Sequence, residues 1–185
     1  MTERYKQIVR NRIIDKLGDC PDGFCVPLAY IGSIRRPIRE SCIDPLVEKL
    51  IADWETLDTR SPMNWEKSGK NFWPNLTLDY ICFRSSQDEA FPEILKHVYQ
   101  QGLTLLFRFP VNGGTDTHVE GVVLMKTRQD GLVARVGYGF KKKDQPLIRV
   151  SDRRVLRDSA GFAADFFREG VMVILPCDDE VPILE

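Results

Sequence analysis

The sequence predicts an α+β domain in which N-terminal helices are followed by a mostly antiparallel sheet with a late helix. Three observations carry this reading. The apolar period is helical over the first part of the chain and turns to strand-like alternation after Gly102. Asp130-Gly131 separates two alternating runs, the pairing that marks a tight hairpin and therefore antiparallel strands. Helical segments come before strand segments instead of alternating with them, which segregates the two kinds of structure. With 185 residues, 43% of them hydrophobic, and no repeat or low-complexity tract, residues 1–185 read as a single domain around one core of ordinary size.

Each element has a local reason. Thr2 is a capping residue for a helix over residues 3–17, whose Tyr5, Ile8, Val9, Ile13 and Leu17 share a face and which Gly18 stops. After the turn-rich Gly-Asp-Cys-Pro-Asp-Gly-Phe, Pro27 suits the first turn of a short helix and puts Cys25 at or beside its N-cap. Asp44-Pro45 repeats that start, and Leu46, Leu50, Ile51 and Trp54 carry a helical stripe to about residue 57. Residues 58–74 read as a long polar and aromatic loop, whose Trp65, Phe72 and Trp73, with Trp54, either cover the core or form a recognition patch. A short strand is expected over 76–83. Ser86, Asp88, Glu89 and Pro92 then open a helix that Gly102 closes. Strands follow over 103–109, 118–126, 132–138 and 146–150. The late helix contains Phe162, Ala163, Phe166 and Phe167 and ends at Gly170, before a buried strand over 171–175.

Composition removes several function classes. Twenty-six Lys and Arg against 27 Asp and Glu leave a net charge of −1, so no global field draws the chain to nucleic acid or an anionic membrane. Lys141 to Lys143 and the arginines near 35–39 and 149–157 read as surface charge. No apolar run nears the roughly 18 residues that cross a bilayer, and the N-terminus lacks the apolar stretch of a signal peptide. The expectation is a cytoplasmic chain as synthesised, with signal-independent export left open and the oligomeric state unset. Five irregularly spaced cysteines do not make a disulfide framework.

Two histidines exclude sites built from several imidazoles, and no Gly-rich phosphate loop or Cys-x2-Cys pair is present, so no metal is expected. His97 reads as a partly exposed helix residue. His118 begins a strand after Asn112-Gly-Gly-Thr-Asp-Thr, at a sheet rim where loops build sites. Cys25 combines a helix N-terminus, which favours a thiolate, with backbone donors that can hold an oxyanion. Nearby imidazole would take the thiol proton and return it to a leaving amine. Cys20 and Cys42 are rivals for this role, whereas Cys82 and Cys177 read as structural. Asp116, His118 and Glu120 fall on one strand face, a row that offers an orienting carboxylate more readily than a metal site.

At this point a resemblance applies. Cys25-Val26-Pro27-Leu28-Ala29-Tyr30 resembles the Cys-Gly-Pro start of the nucleophile helix in the papain-like superfamily of cysteine peptidases and amidases, particularly its bacteriocin-processing peptidases. The later order is similar as well: a helix, a strand, a His-led strand His118-Val-Glu-Gly-Val-Val-Leu, a hairpin return and a closing apolar strand. The likeness covers roughly residues 20–175 at the level of element order. It implies a papain-like hydrolase acting on an amide bond without a cofactor, as a thiol protease, amidase or glutamine deamidase, with Cys25 as nucleophile and His118 as general base and acid. Family members carry Asp or Asn after the His strand; here Gly137-Tyr138-Gly139 occupies that place, leaving Asp144 or Gln145 just beyond, or Asp116, as the orienting residue. The family's oxyanion Gln has no counterpart in residues 17–24. Both departures favour the alternative of a non-catalytic protein-binding module, such as an effector, inhibitor or immunity-like protein, on a similar fold. Either way the partner is a protein or peptide.

Overall fold

The computed structural model describes residues 2–34, 36–58, 64–78, 80–84, 90–111, 116–137, 143–158 and 169–176. It is α+β, with helices set against a seven-stranded sheet in which every neighbouring pair is antiparallel.

Helix α1 spans Thr2–Leu17 and ends where Gly18 turns left-handed, at φ 82°, and donates its N–H to Ile14 O at 2.7 Å. Helix α2 spans Cys25–Ser33 and buries Val26, Pro27, Leu28, Ala29, Tyr30 and Ile31, being apolar on almost every side. Such a helix has to be enclosed. Helix α3 spans Ile43–Thr56 and buries Ile43, Leu46, Val47 and Leu50. Asp44 falls inside its first turn, while Cys42, which closes a 3₁₀ turn over Glu40–Cys42, takes the cap position expected of Asp44.

The stretch 58–74 contains helix α4, Trp65–Gly69, where a loop was expected. Five residues are too few to show a helical period, and what holds them is tertiary. Tyr30 donates its hydroxyl to Trp65 O at 2.8 Å, and its ring stacks on Phe72 and tilts against Trp73. Trp65, Phe72 and Trp73 are therefore core, and the recognition-patch alternative falls for these three. Trp54 stays partly exposed and donates Nε1–H to Asp22 O at 3.2 Å.

The strands are β1 (Tyr80–Arg84), β2 (Thr104–Val111), β3 (Asp116–Thr127), β4 (Gly131–Val136), β5 (Leu147–Arg149), β6 (Val155–Arg157) and β7 (Glu169–Leu175), in the spatial order β1-β7-β2-β3-β4-β5-β6. Helix α5, Phe91–Gln100, precedes β2 and is closed by left-handed Gly102. The predicted hairpin joins β3 to β4, with Gly131 at φ 68° and Thr127 opposite it. β6 is an unanticipated edge strand, and Gly170, expected to stop the late helix, lies within β7. The rest of that predicted helix lies outside the described residues. Arg149 pairs with Asp130 and Asp152, and Arg157 Nε donates to Gln145 O, so these arginines tie turns together.

Each face of the sheet is covered. Leu106, Val119, Val173 and Leu175 pack with α1 to α4; Leu105, Phe107, Phe109, Val122, Leu124 and Met172 pack with Phe91, Leu95 and Val98 of α5. No described helix is long and apolar enough to cross a membrane.

Helix α2 lies backbone against backbone on β3. A Cβ placed on Gly121 would stand 2.6 Å from both Ala29 O and Ser33 N. Only glycine fits there, because the atoms in the way are main chain and cannot swing aside. Gly121→Ala is therefore expected to destabilise the fold by about 1–3 kcal/mol in urea unfolding. A loss below about 0.5 kcal/mol, the range of ordinary surface substitutions, would contradict this close approach.

Candidate active site

Cys25 is the first residue of α2, following the cap residue Phe24, which supplies no side-chain cap. As a first-turn residue its N–H has no acceptor within α2 itself. The side chains of α2 that follow are buried, but Cys25 remains partly exposed.

Cys25 comes near enough to His118 for its sulfur to act on the imidazole. Glu120 accounts for the other side of the ring. Its Oε1 lies 2.9 Å from His118 Nε2. Phe109, the partner of His118 across the β2–β3 ladder, meets the imidazole edge to face at 5.9 Å between ring centres. The β3–β4 ladder runs from Thr127↔Gly131 to Val122↔Val136, and Gly137 N then donates to Gly121 O at 2.8 Å. His118 and Glu120 thus sit on β3 just past the end of the β4 pairing.

Glu120 is 3% exposed and is compensated from α1: Lys6, itself 6% exposed, places Nζ 2.6 Å from Glu120 Oε2 and 2.9 Å from Gly137 O. Burial opposes the charge on Glu120, but the Lys6 ammonium and the hydrogen bonds from His118 and Lys6 hold its carboxyl below the usual range. Burial also opposes the charge on His118. The interactions with Cys25 and Glu120 outweigh it, and the imidazole pKa is raised from 6.5 to about 9. At neutral pH the ring is an imidazolium between a sulfur and a carboxylate.

Of the residues singled out in the sequence, Cys25, His118 and Glu120 come together. Asp144 lies in the turn before β5 and is partly buried, and the groups acting on the imidazole are Cys25 and Glu120. Gln145 is buried in that turn, with its carbonyl receiving Arg157. Asp116 starts β3 opposite Val111. Cys20 and Cys42 are free thiols; burial pushes the Cys20 thiol up, only partly countered by Arg10, and the charge of Cys25 is felt there too. Cys82 lies in β1, Cys177 falls outside the described residues, and His97 is an exposed residue of α5. Among the described residues no group of three or more His, Cys, Asp or Glu is arranged to hold a metal ion. A cavity of about 430 Å³, lined in part by Pro21, Asp22, Gly23, Trp54 and Leu57, opens beside the loop that leads into Cys25.

Sequence reasoning missed Lys6, which reads as one more polar residue of an amphipathic helix. Its signal would have been a lysine amid Tyr5, Ile8 and Val9 on the buried side of α1. Comparison with protein-family models, with curated proteins and with solved structures gives no match for this chain.

The raised His118 pKa fixes a pH dependence of stability. Because the folded value of about 9 lies above the unfolded 6.5, the protonated ring adds stability that is complete below pH 6.5 and is lost as pH rises through 9. Urea unfolding across that window should show the wild type losing on the order of 1–3 kcal/mol relative to His118→Ala. Parallel stability curves for the two proteins would contradict the assignment.

Proposed function

We propose that the protein is a papain-like cysteine hydrolase that breaks an amide bond, in a peptide or in a glutamine side chain, with Cys25 as nucleophile and His118 as general base and acid. The observation that carries this is the proximity of Cys25, at the start of α2, to His118, whose Nε2 lies 2.9 Å from Glu120 Oε1. An imidazolium beside a thiol at a helix N-terminus favours the thiolate. The sulfur attacks the amide carbonyl carbon, and the resulting oxyanion is received by the Cys25 N–H. His118 then protonates the nitrogen as the C–N bond breaks, releasing an amine or ammonia and leaving a thioester. Water gives a proton to His118 as its oxygen attacks that thioester, and collapse frees the carboxylic acid and the thiolate. Glu120 takes the part that Asp or Asn plays in the family, keeping the ring in the tautomer and orientation that face the sulfur.

Incubation with peptides containing glutamine, read by mass spectrometry, should detect hydrolysis or deamidation. Cys25→Ala should abolish it with the circular dichroism spectrum unchanged, and His118→Ala should reduce kcat/KM by about 10²–10⁴-fold. Full activity in Cys25→Ala removes the proposal. The second reading, a binding module, is favoured by the missing Gln in residues 17–24. It takes over if no amide is cleaved, iodoacetamide labels Cys25 at neutral pH no faster than a simple thiol, and the protein forms a stable stoichiometric complex with a protein partner.

A further inference from the structure

Lys6 lies behind the Cys25–His118 pair, on a helix to which neither residue belongs. Its stem passes α2 at Gly32, where an added Cβ would meet Lys6 Cδ at 3.6 Å. Its ammonium holds Glu120 Oε2 at 2.6 Å and Gly137 O at 2.9 Å, while Glu120 Oε1 holds His118 at 2.9 Å. One lysine thereby connects α1, α2, β3 and the end of β4. Stability alone does not account for it, since apolar residues of similar volume in place of a buried ion pair often leave a fold as stable or more so. A carboxylate with one oxygen pinned by a cation has only the other to offer the imidazole, which fixes the direction of that hydrogen bond.

Resting on the reading of the site as a Cys–His hydrolase, we propose that Lys6 is a positioning residue: by anchoring Glu120 it holds the His118 ring in the orientation that serves Cys25. The place where the family carries Asp or Asn is taken here by Gly137, whose carbonyl anchors the lysine instead. The orienting carboxylate has moved to the His strand, and α1 supplies the cation that immobilises it. The charged and titratable groups around this carboxylate are Lys6 from α1, His118 from its own strand and, across the ring, Cys25 from α2.

The test is iodoacetamide labelling of the full chain across pH 5 to 9, read site by site by mass spectrometry, with Cys20 and Cys42 as internal controls. Lys6→Met should slow labelling of Cys25 at neutral pH by about tenfold or more and alter its pH profile, leaving the two control thiols unchanged. Lys6→Arg, which keeps the cation, should restore the rate to within about threefold. Because Lys6 acts through Glu120, Lys6→Met should add less than about twofold in a Glu120→Gln background. A folded Lys6→Met protein that labels like the wild type, or effects of Lys6→Met and Glu120→Gln that multiply, overturns the proposal. If Lys6→Met fails to fold, the double variant decides, as it leaves no carboxylate buried without its cation. A further loss of about tenfold there relative to Glu120→Gln overturns it, and equality supports it. His118→Ala separates the two levels of the argument. Unchanged Cys25 labelling in that variant removes the Cys–His reading itself, whereas a loss in His118→Ala without a loss in Lys6→Met removes only the role of Lys6.

Discussion

Glu120 lies out of water where β3, α1 and the end of β4 converge, and an ionised carboxylate in that position has to be compensated on both oxygens. Lys6 meets one oxygen and His118 the other, so a single buried charge fixes the distance of α1 from the sheet and the orientation of the imidazole together. Removing one partner of such a pair generally costs about 3–5 kcal/mol, because the remaining charge is stranded. The same arrangement keeps His118 protonated through neutrality, and protonated His118 is what the Cys25 sulfur meets.

The second constraint is steric. Gly121 follows Glu120, and the space a side chain would need is filled by the main chain of Ala29 and Ser33. Helix α2 is thereby seated directly on β3, one residue past the buried carboxylate. The seating is rigid because the contact is backbone to backbone and α2 is enclosed by the core. A site of this kind needs its groups placed to within a fraction of an ångström, which helices and strands achieve better than loops.

Much of the fold was legible locally. The ends of α1 and α5 follow from Gly18 and Gly102, whose left-handed backbone other residues adopt at a cost, and the β3–β4 turn follows from Asp130-Gly131 in the same way. What was illegible had no period to read. α4 is held by the rings around Tyr30 and β6 by a pairing with β5, so both depend on partners remote in sequence. The start of α3 moved back from Asp44 because the 3₁₀ turn before it supplies the entry to the helix.

For the candidate site, sequence alone determined the chemistry available: a cysteine at a helix start, a histidine opening a strand, and carboxylates at alternate positions beside it, since helix ends and strand faces are local properties. Which of these groups meet was decided by tertiary structure. Asp144, Asp116 and Glu120 were equivalent as carboxylates in the chain, and Lys6 was one polar residue on a helix. Only the docking of α1 and α2 on β3 gave Glu120 a buried cation on one oxygen and an imidazole on the other. Pairing of buried charges depends on three-dimensional distance and the exclusion of water, and neither is encoded in the spacing of residues along the chain.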